Sequence, residues 1–186
     1  MNFKKDILLV DLETTGLDAS RHEIIQLAAI LLDRKTLREK RSFASYVRPA
    51  HWARRSPESM AVNKIAAKQV LTAPRLGQVL KQFRTLFGHN VVLAYYGGPV
   101  DMDFLRQAYR QEGKNFPFDY HYFNLWPLFF VYLGLSGQLR NSKRFTGFSL
   151  EDLMKKFKIK SVSRHDALED CRIEAEIFRK IIKTFK

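Results

Sequence analysis

Short apolar runs separated by polar segments dominate the first half of this 186-residue chain. The run 7–10, Ile-Leu-Leu-Val, does not alternate with polar residues, which is typical of a strand buried on both faces. Similar runs predict strands over 23–32, 42–47 and 91–95, and a further one near 120–125. The strands predicted over 7–10, 23–32 and 42–47 follow one another without helical spacing between them, so we expect at least one antiparallel pair.

Helices are predicted where apolar residues recur at spacings of three and four. This pattern covers 59–71, 76–87, 101–111 and 167–184. Two more helices are expected, one from about Pro127 and a short one capped by Ser149. Loops are predicted over 49–57 and 134–147. Strands followed by alternating helices and strands favour a single α/β domain over 1–186, with a mixed central sheet flanked by helices.

The chain has no pattern typical of a secretory or membrane segment. Its N-terminal apolar run ends at Asp11, which is too short for a signal peptide. Segment 120–139 lacks charged residues, but its apolar part is about ten residues long, whereas a bilayer needs roughly 20. We expect a buried helix there, and its stretch 126–135, apolar all round, leaves open a homodimer or partner surface. The single cysteine, Cys171, indicates a reducing compartment, and we predict a cytoplasmic protein.

The charge of the chain points to a polyanionic partner. The formal net charge is +13 and the pI is near 10.0. Segment 34–89 holds thirteen Lys or Arg residues against two acids, Glu39 and Glu58, and so carries +11. Clustered charge of one sign is typical of proteins that bind nucleic acid, whereas a solvated surface without a ligand more often mixes both signs.

Two acids follow the first buried strand. Asp11 and Glu13 lie two residues apart, so a chain that stays extended through Leu12 points both carboxylates to the same side of the sheet. Such a pair at the end of a buried strand is costly unless a cation lies between the carboxylates, and a divalent metal is the usual solution. The alternative is a pair of solvated acids, and these residues alone do not exclude it.

Two more acids follow the strand predicted over 91–95. Asp101 and Asp103 lie at or near the start of the next helix, after a turn that Gly97 and Gly98 permit. The residues themselves do not choose between the two aspartates.

A third acidic segment lies near the C-terminus. Asp166 with Glu169 three residues later is a helix-start signature, which puts His165 in the preceding loop and Asp170 just past the first turn. A histidine outside the helix can fold back over the helix start towards Asp170. The alternative for His165 is an ordinary surface histidine.

Three segments together resemble a known family. DLETTGL at 11–17, DMDFL at 101–105 and HDALED at 165–170 resemble, in this order, the motifs of the DnaQ-like DEDDh 3′→5′ exonucleases, which include polymerase proofreading subunits and RNase T. YVRP, SPESMAVNKI, LEDL and the terminal helix also look like family features, so the resemblance covers nearly the whole chain. Phe104 and Leu105, three and four residues after Asp101, match Asp101 to the acidic position of the family.

The match has departures. Tyr96, Gly97 and Val100 stand where the second motif of the family often has His-Asn and Phe. Asn63 and Lys64 stand where many members carry His-Gly. These departures concern the expected substrate contacts and leave the expected metal ligands intact.

The resemblance implies a ribonuclease H-like fold with a two-metal site. Asp11, Glu13, Asp101 and Asp170 would ligate two divalent cations, and His165 would be the general base. Hard oxygen ligands suit Mg²⁺ or Mn²⁺. Two such ions stabilise both the attacking and the leaving oxygen of a phosphoryl displacement.

The implied function is a metal-dependent exonuclease that releases nucleoside monophosphates from 3′ ends, and we predict single-stranded DNA as the substrate. In the family, Thr14, Thr15 and Leu17 would hold the terminal nucleotide. No motif recognises a 2′-hydroxyl, so an RNA 3′ exonuclease of the RNase T or oligoribonuclease type is an alternative. A binding module that keeps the fold without cleaving is a second one. Association with a polymerase as a subunit also fits the family.

Overall fold

A five-stranded mixed sheet forms the centre of the molecule. The computed structural model describes residues 3–139, 148–160 and 166–185. The strands are β1 (Ile7–Thr14), β2 (Ile24–Leu32), β3 (Glu39–Tyr46), β4 (Val92–Tyr95) and β5 (Phe123–Asn124). Their order is β3-β2-β1-β4-β5, with β2 antiparallel to β1 and β3, and β4 parallel to β1 and β5. The predicted mixed sheet and its early antiparallel pairing are confirmed.

Helices cover both faces of this sheet. They are α1 (Pro57–Asn63), α2 (Ala67–Leu71), α3 (Leu76–Phe87), α4 (Val100–Gln111), α5 (Leu125–Leu135), α6 (Leu150–Phe157) and α7 (Ala167–Thr184). A 3₁₀ turn, Trp52–Arg54, lies within the predicted loop before α1. Helices α3 and α4 share a core with one face of the sheet, and α5, α6 and α7 share a core with the other.

Strand β1 is buried on both faces, as its unbroken apolar run predicts. Leu8 and Val10 pack on the face of α3 and α4, whereas Leu9 packs on the face of α5, α6 and α7. Because successive side chains alternate between the faces of a strand, Asp11 and Glu13 continue the second face. The two carboxylates therefore project towards the side of the sheet that α7 covers.

The single helix predicted over 59–71 is wrong. In the structure α1 ends at Asn63 and α2 begins at Ala67. Between them Lys64 has a left-handed backbone with φ 56°, which ends the helical hydrogen bonding. The apolar spacing continues across this break, so periodicity alone does not reveal it.

Helix α5 differs from its prediction in start and burial. It begins at Leu125, because Asn124 caps it by accepting a hydrogen bond from the backbone N–H of Trp126 (2.9 Å). Its buried residues lie on one side, at Leu125, Phe129 and Leu133. Its other side leaves Phe130, Val131 and Leu135 exposed by 39%, 53% and 79%. The expectation of a buried helix is correct for one face only.

Other predicted elements agree with the structure. Helices α3, α4 and α7 have the expected ranges within one residue. Ser149 caps α6 by accepting from the N–H of Asp152 (3.2 Å), and the Asp152 carboxylate accepts from the N–H of Ser149 (2.8 Å). Residues 140–147 of the predicted basic loop lie outside the described residues. Within the described part of the chain, no helix is long and apolar enough to cross a membrane.

Glycine substitutions test the break between α1 and α2. Lys64→Gly should raise the free energy of unfolding by about 0.5–1 kcal/mol, because a side chain in the left-handed region carries a steric cost that glycine avoids. Lys81→Gly is the matched control on the exposed side of α3 and should lower it by about 1 kcal/mol. Urea denaturation measures both changes. A similar loss at both positions would contradict the left-handed assignment.

Candidate active site

The carboxylates of β1 lie where the sheet opens. The parallel pairing of β1 with β4 ends at Leu9 and Ala94, two residues before Asp11. Pairing of β1 with β2 continues past this point, and Glu13 lies opposite Gln26. The end of β1 is therefore accessible from the side of β4 to groups brought by the helices.

Asp101 reaches β1 from the start of α4. After β4 the chain turns through Gly97, whose φ of 104° suits glycine. The Asp101 carboxylate accepts a hydrogen bond from the backbone N–H of Leu12, which lies between the two acids of β1. Burial raises the pKa of Asp101 to about 7. Asp103 is exposed, so the contact to β1 belongs to Asp101.

Asp170 approaches the same place from α7. Asp166 caps this helix as predicted, since its side chain accepts two hydrogen bonds from backbone N–H groups of the first turn (3.1 and 3.2 Å). Asp170 lies one turn further on and is only 7% exposed. The adjacent Cys171 thiol contacts the carbonyl oxygen of Leu9, with Sγ 3.7 Å from the oxygen. This contact brings the Asp170 turn against β1.

Glu174 belongs to this cluster although no motif points to it. It follows Asp170 by four residues, so both side chains lie on one face of α7. Glu174 is 2% exposed. Among the neighbouring charges, it has the largest effect on the pKa of Asp11. The four-residue spacing from Asp170 to Glu174 also occurs in the surface pair Glu176 and Lys180. Burial therefore identifies Glu174 as part of the cluster, and its spacing in the sequence does not.

Like charges surround Asp11. Burial raises its pKa well above the ordinary value, and four neighbouring carboxylates raise it further, those of Glu174, Asp101, Asp170 and Glu13. Carboxylate oxygens are the donors that Mg²⁺ and Mn²⁺ prefer, and a divalent cation among them would offset this repulsion. The side chains fit a divalent metal by donor chemistry and charge. Among the described residues, no three His, Cys, Asp or Glu side chains already form a metal-ligating group.

The turn after β1 carries the residues expected to hold a nucleotide. Thr14 and Thr15 are buried, and their hydroxyls are used within the turn. The hydroxyl of Thr14 donates to the carbonyl of Gly16 (2.6 Å), and that of Thr15 accepts from the N–H of Glu23 (2.9 Å). Leu17 is 77% exposed. The threonines therefore shape the turn, and Leu17 presents an apolar side chain to solvent.

A distant segment supports this turn from outside. The Asn63 side chain, 5% exposed, donates from Nδ2 to the carbonyl oxygen of Thr14 (3.2 Å). The backbone N–H of Ser56 donates to the carbonyl oxygen of Thr15 (2.6 Å). Asn63 thus has a structural role that its sequence position does not indicate, because its partner lies 49 residues away.

His165, the expected general base, belongs to 161–165, which lie outside the described residues. Asp166 directly follows it and is held as the N-cap of α7. The attachment point of His165 is therefore at the same end of α7 as Asp170.

A basic cleft of about 460 Å³ lies beside α4. Its lining includes Arg106, Arg110, Lys114, Phe116, Phe118 and Tyr120. Ring contacts run from this cleft to the end of β4, where the ring centroid of Tyr95 is 5.7 Å from that of Tyr122. The Arg106 guanidinium lies 5.3 Å from the Tyr122 ring centroid. Aromatic rings and a cation thus extend from the cleft to the end of β4, the strand that precedes Asp101.

The family model described as Exonuclease matches residues 8–178. This chain belongs to the exonuclease family. The match covers the two acids of β1, Asp101 and the first turns of α7, so the predicted family and its enzyme class, an exonuclease, are confirmed.

A curated relative of this exonuclease is DNA polymerase III subunit epsilon of Aquifex aeolicus (strain VF5). It is 28% identical over 181 residues, which cover 95% of this chain and 80% of the relative. DNA polymerase III PolC-type proteins also match but are much longer. The chain covers 7% of the one from Oceanobacillus iheyensis and 12% of the one from Caldanaerobacter subterraneus.

Two solved structures resemble the exonuclease over nearly its whole length. The nuclease domain of 3′hExo, a DEDDh family member bound to rAMP, has a TM-score of 0.77 at 23% identity, covering 99% of this chain and 95% of that one. E. coli Exonuclease I in complex with a dT13 oligonucleotide has a TM-score of 0.82 at 18% identity, covering 98% and 43%. These likenesses confirm the predicted ribonuclease H-like fold.

The metal-free exonuclease should lose stability as the pH rises through neutrality. Asp101 has a pKa of about 7 in the folded state against an ordinary value of 3.8. Between these values the native state binds more protons than the unfolded state. The stabilising contribution is therefore complete below about pH 4 and is lost as the pH rises through about 7. Asp101→Asn removes this contribution.

Thermal unfolding in EDTA at pH 5 and pH 8 measures the effect. We expect the Tm of the wild type to fall more between these pH values than the Tm of Asp101→Asn. Glu176→Gln, on the surface of α7, is the control and should keep the wild-type difference. Equal pH dependence in the wild type and Asp101→Asn would show that the Asp101 pKa is not raised.

Proposed function

We propose that the chain is a metal-dependent 3′→5′ exonuclease that releases nucleoside monophosphates from single-stranded DNA. The observation that carries this proposal is the convergence of acids from three elements on the end of β1. Strand β1 contributes Asp11 and Glu13, α4 contributes Asp101, and α7 contributes Asp170. Acids are rarely drawn out of solvent unless they are paired or functional, so four carboxylates at one place favour a functional role over a packing role.

Asp11, Glu13, Asp101 and Asp170 are the residues that would hold two divalent cations, Mg²⁺ or Mn²⁺. Such ions supply a bound water of lowered pKa and charge stabilisation for the attacking and leaving oxygens. The chain itself contributes orientation, since the N–H of Leu12 holds the Asp101 carboxylate. Burial also strengthens the attraction between these carboxylates and any cation, because it lowers the local dielectric constant.

His165 is the residue that we assign to proton transfer. An imidazole with an ordinary pKa near 6.5 can accept the proton of the attacking water at neutral pH. It directly precedes Asp166, the N-cap of α7. The proposed base therefore adjoins, in sequence, the N-cap of the helix that carries Asp170.

Substrate binding is assigned to the turn after β1 and to the basic cleft beside α4. Leu17 offers an exposed apolar side chain to the terminal base, while Thr14 and Thr15 shape the backbone around it. Arg110 and Lys114 provide positive charge for the phosphates of the preceding nucleotides. A single-stranded end suits a buried cleft, because the terminal nucleotide must leave the base stack to enter.

Asp11→Asn should lower the rate of cleavage by at least about 10²-fold. Metal-assisted charge stabilisation contributes several kcal/mol, and 1.36 kcal/mol corresponds to a factor of ten. The measurement uses 5′-labelled single-stranded DNA and RNA of one sequence, with Mg²⁺, Mn²⁺ or EDTA. We expect a ladder that shortens from the 3′ end of the DNA in the presence of metal and no cleavage in EDTA.

Glu176→Gln is the matched control, since Glu176 pairs with Lys180 on the surface of α7 (3.5 Å) and should be dispensable. Undiminished cleavage by Asp11→Asn would refute the proposed site. Cleavage of RNA alone would replace the DNA substrate with the RNA alternative. Tight binding of intact oligomers with every metal would support the non-cleaving module instead.

Arg110→Gln should weaken binding of single-stranded DNA and lower the slope of log affinity against log salt by about 0.7, the value for one phosphate contact. Lys183→Gln is the control, because Lys183 is an exposed cation in the last turn of α7 and does not line this cleft. Fluorescence anisotropy in Ca²⁺ or EDTA measures binding at several salt concentrations. The cleft beside α4 is not the path of the substrate if Lys183→Gln has the larger effect.

Partners beyond the nucleic acid stay predictions. The exposed apolar side of α5 is compatible with a homodimer, and a monomer at high concentration in analytical ultracentrifugation would exclude it. Association with a polymerase is proposed by analogy with the epsilon subunit that the chain resembles. The cytoplasmic location is likewise a prediction from the sequence.

A further inference from the structure

Gln26 connects the sheet to the start of α7. It lies on β2 directly opposite Glu13 and is 4% exposed. Its Nε2 group donates to the Asp166 carboxylate (3.3 Å), and its Oε1 atom accepts from the backbone N–H of Ala167 (3.2 Å). Both polar groups of the amide therefore form hydrogen bonds with two consecutive residues at the start of α7, the N-cap Asp166 and Ala167, about 140 positions away in the sequence.

These two hydrogen bonds define how α7 meets the sheet. The second oxygen of Asp166 caps the helix, so Gln26 holds the capping residue itself. One turn later, the Cys171 thiol contacts the carbonyl oxygen of Leu9 on β1. Contacts at two heights on the helix, to two different strands, restrict both its rotation and its sliding along the sheet.

The functional residues of α7 lie beside these contacts. Asp170 lies between Ala167 and Cys171 on the helix, and His165 directly precedes Asp166 in the chain. A shift of the helix start would therefore move the Asp170 carboxylate relative to Asp11. Hydrogen-bond partners behind metal ligands typically change metal affinity or activity by 10-fold to 100-fold.

We propose that Gln26 is a positioning residue of the active site, which holds α7 so that Asp170 faces the carboxylates of β1. The inference rests on the proposed function but concerns a residue outside the acidic set and outside the three motifs. A purely structural role is the competing explanation, because a buried amide that loses its partners also destabilises the fold.

The first experiment compares Gln26→Leu with Gln78→Leu. Gln78 is an exposed glutamine at the start of α3, on the face of the sheet opposite α7, and its Oε1 atom accepts from the N–H of Arg75 (3.1 Å). We expect Gln26→Leu to weaken Mn²⁺ binding in calorimetry by about 10-fold to 100-fold and to lower kcat similarly, with a smaller change in KM. Gln78→Leu should leave Mn²⁺ binding, kcat and KM close to the wild type.

The second experiment reverses the polarity of the contact. Gln26→Glu alone places two carboxylate oxygens, both acceptors, at the contact between positions 26 and 166. Asp166→Asn alone places two amide NH₂ groups, both donors, at the same contact, because the remaining oxygen of each amide is used by a backbone N–H. Combined, they exchange donor and acceptor while retaining every hydrogen bond, since a carboxylate at 26 can accept from both partners. Mn²⁺ affinity and kcat should fall at least about 10-fold in each single variant and return to within about threefold in the double variant.

Hydrogen exchange of the α7 start provides a readout that needs neither metal nor activity. Amide protection of the first turn should fall in each single variant and recover in the double variant. Loss of protection and of thermal stability with unchanged Mn²⁺ affinity and kcat would overturn the positioning role. An inactive wild type would refute the proposed function, whereas the Mn²⁺ and exchange measurements would still decide whether Gln26 positions the carboxylates.

Discussion

Repulsion between carboxylates at the end of β1 is the constraint to which the rest of the molecule responds. Burial raises the pKa values of Asp11 and Asp101, and like charge raises that of Asp11 further, so the fold has to bring these groups together against a free-energy cost. The apolar run before them offsets it. Leu8, Leu9 and Val10 are fully buried, and each such side chain contributes about 1.5–3 kcal/mol. Stabilising and destabilising residues are thus adjacent in one strand.

Helix α7 combines the same two properties. Its inward face is acidic near the start, with Asp170 and Glu174, and apolar beyond, where Ile177, Phe178 and Ile181 are buried. The apolar turns attach the helix to the sheet and thereby carry the acids to β1. Contacts at the helix start, from Gln26 and the Asp166 cap, then set the height at which Asp170 meets the strand. One helix therefore contributes both core packing and two acids of the cluster.

The fold could be predicted where local signals suffice. An unbroken apolar run identified β1, and capping chemistry at Ser149 and Asp166 identified the starts of α6 and α7. Prediction failed at Lys64, where the left-handed turn interrupts a helical pattern that continues on both sides. The neighbouring Asn63 is used on the turn after β1, a long-range contact that periodicity does not contain. The prediction of a buried helix also failed for one face of α5, which is exposed although the helix is apolar all round.

The sequence by itself determined the chemistry of the site, because motif spacing specifies residue types, and alternation along β1 requires Asp11 and Glu13 to share a face. Only the tertiary structure decided which other groups meet them. A hydrogen bond from the N–H of Leu12 brings to β1 Asp101, the aspartate that the family resemblance already favoured over Asp103, and Glu174 joins the cluster by burial. Gln26 reaches α7 across about 140 residues. These contacts depend on how helices settle on a sheet, which is a property of packing and not of local residue order.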